Sequence, residues 1–246
     1  MKHTTFNIFN EFRGKAVSVA ENLKHVRQEI VALEQRFDRT SDSVRLLAVS
    51  KTKPLADIEA AYAAGQRMFG ENYVQEAVDK HEHLSHLSDI EWHFIGPIQS
   101  NKSRQIAETM AWVHTIDREK IAHRLSEQRP VERLPLNVLI QVNISGEASK
   151  SGILLEQLDD MVSLIQQLPN IKLRGLMAIP APQTSEADQI QVYAPLYQAF
   201  KALQQQDCDI DTLSIGMSGD MAAAIASGST MVRVGTAIFG ARNYTS

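Results

Sequence analysis

Lys51 follows the run Leu46-Leu47-Ala48-Val49-Ser50 and leads into Thr52-Lys53-Pro54. A short, mostly apolar run of this kind suits a buried strand, which puts the lysine at a strand mouth. Leaving water disfavours the charged ammonium and lowers its pKa. A lysine in that condition is nucleophilic enough to form a Schiff base with a carbonyl. The plain alternative is a lysine that marks the strand end and reaches out to water. Two stretches far along the chain suit an anion: Gly216-Met217-Ser218-Gly219-Asp220 and Gly235-Thr236. Glycines let backbone N–H groups approach an anion, Ser218 and Thr236 add hydroxyl donors, and helix starts add partial positive charge. Otherwise Ser218 caps its helix and Gly235 makes a turn. Arg233 alternates with Val232 and Val234 and so points the opposite way from them. Its guanidinium needs a ligand group or a carboxylate, because a buried unpaired charge is very costly.

The elements that must position these groups can be read from the apolar spacing. Strands are expected at 46–50, 67–70, 91–95, 112–116, 137–142, 173–179, 212–216 and 231–235. Between them lie helices at 55–64, from 74 to near His81, and at 100–109, 118–128, 153–168, 185–206 and 220–226. A first helix, 16–37, precedes strand one, with Val17, Val19, Leu23, Val26, Ile30, Leu33 and Phe37 on one face. Pro54 suits a helix first turn, Gly65 a C-terminal stop and Asp117 an N-cap. Regular β-α alternation argues a parallel sheet, and eight units in 246 residues argue closure into a (β/α)8 TIM barrel. An open doubly wound sheet would need a glycine-rich fingerprint after strand one, where Lys51-Thr52-Lys53-Pro54 has no glycine. A barrel needs helices all round, and the first helix can cover the gap left after strand eight.

Composition narrows the class. With 43% hydrophobic and 22% charged residues the chain is an ordinary globular domain. Its net charge of -4 gives no reason to expect nucleic acid or an acidic membrane surface. One cysteine, Cys208, excludes an intrachain disulfide and a cysteine-rich metal site, and suits a reducing cytosol. No apolar run is long enough to cross a bilayer, and residues 1–14 lack the apolar core of a secretion signal. The expectation is a soluble, cytoplasmic, single-domain chain with no nucleic-acid or membrane partner.

In such barrels the site lies where the strands end. Those ends carry Lys51, Asn72, His93, Asn143, Met177, Ser218 and Arg233, which are therefore candidates for one pocket. The glycine loops fall after strands seven and eight, where phosphate sites recur. There is no spaced Cys/His cluster for a catalytic metal and no glycine-flanked serine elbow. A lysine on strand one, an anion cradle and an arginine on strand eight together suggest pyridoxal 5′-phosphate (PLP). Its aldehyde would meet Lys51, its phosphate Ser218, Gly235 and Thr236, and its ring nitrogen Arg233. A Schiff-base aldolase acting on a phosphorylated sugar is the cofactor-free alternative.

Longer motifs carry a resemblance. They are Leu47-Ala48-Val49-Ser50-Lys51-Thr52-Lys53-Pro54, Phe69-Gly70-Glu71-Asn72-Tyr73-Val74-Gln75-Glu76 and Trp92-His93-Phe94-Ile95-Gly96-Pro97-Ile98-Gln99-Ser100-Asn101-Lys102. Ser149-Lys150-Ser151-Gly152, Arg174-Gly175-Leu176-Met177-Ala178-Ile179-Pro180, Gly216-Met217-Ser218-Gly219-Asp220-Met221 and Arg233-Val234-Gly235-Thr236-Ala237-Ile238-Phe239-Gly240 complete the set. Together they resemble the pyridoxal phosphate homeostasis protein family over roughly residues 21–242. Residues 1–15 fall outside as an N-terminal extension, expected to be flexible, and 16–246 form the barrel.

The resemblance implies a fold-type III barrel like the N-terminal domain of alanine racemase, without that enzyme's β domain. It implies PLP on Lys51, phosphate on Ser218, Gly235 and Thr236, and Arg233 against the pyridine nitrogen, which it keeps unprotonated. Asn72, His93 and Met177 match family pocket positions. Members are thought to bind and release PLP without turnover, which makes PLP-dependent apoenzymes the expected recipients of a monomeric carrier. A racemase of weak or narrow activity is the enzymatic alternative. It is disfavoured because a chain ending so soon after strand eight leaves no room for a domain supplying a second acid/base. Lys150 is a second candidate amine near the rim.

Overall fold

A computed structural model describes residues 18–146 and 150–241 of the chain; the expected extension at 1–15 lies outside the described residues. Eight parallel strands close into a barrel in sequence order. They are β1 (Arg45–Val49), β2 (Met68–Glu71), β3 (Glu91–Phe94), β4 (Trp112–Ile116), β5 (Leu136–Gln141), β6 (Ile171–Met177), β7 (Thr212–Ser214) and β8 (Met231–Val234). Closure is made by β1 against β8, with Leu47 opposite Arg233 and Ala48 opposite Val234. That pairing brings residues from the two ends of the sequence onto one rim.

The helices are α1 (Val19–Arg36), α2 (Leu55–Ala63), α3 (Val74–His83), α4 (Ser103–Thr109) and α5 (Glu119–Gln128). They continue with α6 (Leu158–Gln166), α7 (Glu186–Gln206), α8 (Met221–Ala226) and α9 (Thr236–Phe239). Helix α1 starts at a capping box in which Ser18 and Glu21 satisfy each other's backbone N–H groups. Its buried residues Leu23, Val26, Ile30 and Leu33 recur every three or four positions, as one helical face requires. That face packs against α2, α8 and α9, and Asn22 Nδ2 donates to the Ile238 carbonyl at 2.9 Å. The helix before strand one thus covers the gap that the four-residue α9 leaves.

The apolar core lies between the sheet and the helices, and within it Phe69, Phe94, Tyr193 and Phe200 are essentially inaccessible. Inside the barrel a small separate cluster of Trp112, Leu139 and Met177 sits among polar side chains. Several element ends shift by one to three residues from expectation, and three helix starts differ in kind. Asp117 does not cap α5: the helix begins at Glu119 behind Arg118, and Asp117 instead pairs with Arg118 at 3.0 Å. The helices expected at 100–109 and 153–168 each open with a 3₁₀ turn, Ser100–Lys102 and Leu155–Gln157, before the α-helical part.

Candidate functional site

Lys51 leaves the barrel one residue beyond the strand-mouth Ser50, in a loop whose conformation is fixed from both sides. Thr52 adopts a left-handed backbone, φ 62°, a costly state for a β-branched residue. Its N–H donates to Glu76 Oε1 at 2.5 Å. Lys53 donates its ammonium to the carbonyls of Phe239, Gly240 and Ala241 at 2.8–3.0 Å, tying the loop to the end of α9.

A cavity of about 300 Å³ opens at this rim. It is lined by Lys51, Asn72, Ser218, Arg233, Gly235 and Thr236, together with Val49, Ile95, Ile179, Met217 and Gly219. Six of the eight expected site residues therefore share one space. A larger open groove of about 630 Å³ runs along the outer face of α1, away from the strand ends.

His93 and Met177 do not line the cavity. Both are fully buried inside the barrel, His93 stacked on Trp112 and Met177 in the cluster with Trp112 and Leu139. The alternation is right and the level is wrong: Ile95 and Ile179, two residues further along, occupy the mouth on the same sides of their strands. Asn143 and Lys150 also lie outside the lining; Asn143 Nδ2 reaches the Lys150 carbonyl at 3.3 Å.

Arg233 is held as a donor on every side that the structure defines. Its Nη1 donates to the Ser214 carbonyl at 2.6 Å and to Ser214 Oγ at 2.8 Å, and Nη2 donates to the Ala178 carbonyl at 3.0 Å. Burial lowers its pKa from the ordinary value, and the nearby Asp220 opposes that shift.

Beyond Ser214 the contacts continue through the barrel. Ser214 Oγ lies 3.1 Å from His114 Nδ1, His114 Nε2 lies 2.9 Å from His93 Nδ1, and His93 Nε2 lies 2.9 Å from Glu91 Oε1. Burial holds both imidazoles below their ordinary pKa, His114 well below, so both are neutral at pH 7. Burial alone would raise the Glu91 pKa, yet its bond to His93 and the charge of Arg45 leave it lowered. An ionised carboxylate only accepts, which sets the sense of the whole row. Arg233 donates to Ser214, Ser214 to His114, His114 to His93, and His93 to Glu91.

The loop after β7 has its own brace. Asp220 accepts from Met217 N through Oδ1 and from the Tyr193 hydroxyl through Oδ2, both at 2.6 Å. Burial is the main reason the Tyr193 hydroxyl stays protonated far into alkali, with Asp220 adding to it. Gly216, at φ 94°, turns the chain where a Cβ would collide with Ala224. Gly96 lets the Asn72 backbone pass, since a Cβ there would run into the Asn72 carbonyl oxygen. Ser218 and Thr236 are exposed on the lining, their hydroxyls left to a ligand or to water.

Sequence reasoning missed Tyr193 and the apolar lining Val49, Ile95, Ile179 and Met217. Tyr193 lies mid-helix between Val192 and Ala194, and nothing in its neighbourhood marks it as a brace. The isoleucines were findable by counting one layer further along each strand.

A closed barrel with a lysine after its first strand and hydroxyl-bearing glycine loops after its last two belongs to a defined class. The family described as "Alanine racemase, N-terminal domain" matches residues 22–243. Within that class the chain belongs to the pyridoxal phosphate homeostasis protein family. It is 58% identical over 231 residues to the protein of that name from Vibrio alginolyticus, covering 93% of this chain and 99% of the relative. To the Escherichia coli K12 protein of the same name it is 57% identical over 229 residues, 92% of this chain and 98% of the relative. Among solved structures, PipY of Synechococcus elongatus with PLP bound superposes at a TM-score of 0.78 and 35% identity. That match covers 91% of this chain and all of PipY.

Proposed function

We propose that this chain binds PLP as a Schiff base through Lys51 and serves intracellular PLP homeostasis as a cytoplasmic, monomeric carrier without turnover, passing the cofactor to PLP-dependent apoenzymes. The observation that carries this reading is the meeting of Lys51, Arg233, Ser218 and Thr236 around one cavity. Its volume falls at the small end of ligand pockets. The relatives named for PLP homeostasis, and PipY with PLP bound, support it. Among the described residues no helix is long and apolar enough to cross a membrane.

The donor set fits the cofactor. The primary amine of Lys51, the hydroxyls of Ser218 and Thr236, the backbone at Gly219 and Gly235 and the fixed cation of Arg233 all line one cavity. When bound, PLP supplies an aldehyde that condenses with primary amines and a conjugated ring that accepts electrons. The chain's own residues restrict that chemistry. Arg233 is a permanent donor, and a cation facing the ring nitrogen disfavours protonation there and weakens the ring as an electron sink. Among the described lining residues Lys51 carries the one side chain that can act as a base, because Arg233 stays charged. Two-base racemisation asks for a second.

The test has two arms. The PLP-loaded chain is incubated with amino acids in deuterated water, and separately with a PLP-dependent enzyme stripped of cofactor. The expected result is α-deuterium no higher than in a protein-free control, together with recovery of the stripped enzyme's activity. Catalytic α-proton exchange by the chain would replace the carrier with a racemase.

A further inference from the structure

A second lysine, Lys80 on α3, is buried beneath the loop that carries Lys51. Its ammonium donates to the Ser50 carbonyl at 2.7 Å, to Glu71 Oε1 at 2.8 Å and to Glu76 Oε1 at 2.6 Å. All three donors of the ammonium are thus used. The same Glu76 oxygen accepts the Thr52 N–H, and the same Glu71 oxygen accepts the Ser50 hydroxyl at 2.5 Å. The backbone immediately before Lys51 and immediately after it is therefore held by one buried ionic cluster, and the residue after it is kept in a left-handed conformation.

A buried ion pair is weak ground for stability, since the cost of removing charges from water offsets most of the attraction. What such a cluster does supply is position. Glu71 makes the point, because its Oε2 is buried with no hydrogen-bond partner among the described residues while Oε1 serves both Lys80 and Ser50. A carboxylate placed for stability alone would satisfy both oxygens.

We infer that Lys80 is a positioning residue: through Ser50, Glu71 and Glu76 it fixes the backbone on both sides of Lys51 and so aims the Lys51 amine into the cavity, where it meets a carbonyl ligand held by the anion cradle. The inference rests on the proposed covalent binding of PLP at Lys51 and names the device that makes that amine available.

The test compares two ligands. PLP has the aldehyde; pyridoxine 5′-phosphate has the same ring and phosphate with an alcohol in its place, so it occupies the cradle and forms no Schiff base. Two variants are used. Lys80→Met is combined with Glu71→Gln so that no ionised Glu71 is left buried without its cation, and Glu76→Ala releases Thr52 from a partly exposed partner. The expected result is an apparent Kd for PLP at least tenfold weaker in the double variant and several-fold weaker in Glu76→Ala. Binding of pyridoxine 5′-phosphate stays within twofold of the parent chain in both.

Equal losses for the two ligands would show that the cluster merely supports the pocket's shape, and unchanged PLP binding would show that it does not aim Lys51; either overturns the inference. If the double variant does not fold, Glu76→Ala decides by the same criteria. A parent chain that binds the two ligands equally and gives no borohydride-trapped adduct on Lys51 contradicts the reading of the site itself. That result is distinct from every outcome for the variants.

Discussion

The hydroxyls of Ser218 and Thr236 come from different units, one in the loop after β7 and one at the start of α9 after β8, and line a common cavity. A hydrogen bond to a charged group is worth about 1.5–3 kcal/mol, and these residues are exposed, so the lower end applies. Ser218→Ala and Thr236→Val are each expected to weaken PLP about tenfold, or ~1.5 kcal/mol, in an equilibrium titration. The same variants should leave binding of pyridoxal, which lacks the phosphate, unchanged. Parallel losses for both ligands would remove these residues from the phosphate's contacts. At this scale the sequence was a good guide to which residues meet and a poorer one to depth. Lys51, Arg233 and the two hydroxyls were legible because strand ends and glycine loops mark a rim. His93 and Met177 were placed one layer too high, because alternation along a strand tells side from side and says nothing of level. Lys80 was illegible: in sequence it is one more charged residue on a polar helix, and its burial comes from a partner set drawn from the residue after β1, from β2 and from α3.

At the scale of elements, the β1–α2 loop is the part that the rest of the barrel holds. Lys53 crosses from it to three carbonyls at the end of α9, and those carbonyls have no further turn of helix to bond to. A cation at a helix C-terminus satisfies them and suits the dipole. Lys53→Met should therefore lower stability by about 1 kcal/mol, since the ammonium is only partly buried. Amide exchange at 239–241 should rise with it. A chemical-denaturation midpoint and exchange pattern identical to the parent would show that these contacts carry no stability. The strands and helices themselves were readable because their apolar periods are clean, as in α1 and β5. The two 3₁₀ openings and the misassigned Asp117 cap were not, because first turns are decided by neighbouring backbone more than by the local residue.

The whole molecule carries a polar row through a barrel interior that residue counting alone would fill with apolar side chains. Its two histidines set a pH dependence. Unfolded, each takes a proton near pH 6.5; folded, burial keeps both neutral to lower pH. The unfolded chain then binds more protons, so stability rises with pH and is lost as pH falls below about 6.5 toward the depressed folded values. Each histidine contributes up to ~1.4 kcal/mol per pH unit in that window. Glu91, whose pKa is also lowered, adds a loss in the same direction in a lower window, below its ordinary 4.5. Urea denaturation from pH 5 to 8 should show a steep decline between 6.5 and 5, and His114→Gln should flatten it. An unchanged slope in that variant would mean that the decline comes from other groups.

The central claim is that Lys51 is the group that holds PLP. The chain is loaded with PLP, its ultraviolet–visible spectrum is recorded before and after borohydride, and the reduced protein is mapped by peptide mass. The account predicts an absorbance band at the edge of the visible that borohydride removes, with one pyridoxyl group on Lys51 and none in Lys51→Ala. A pyridoxyl group on Lys150 or another lysine in the parent chain, or a full band retained in Lys51→Ala, would contradict it.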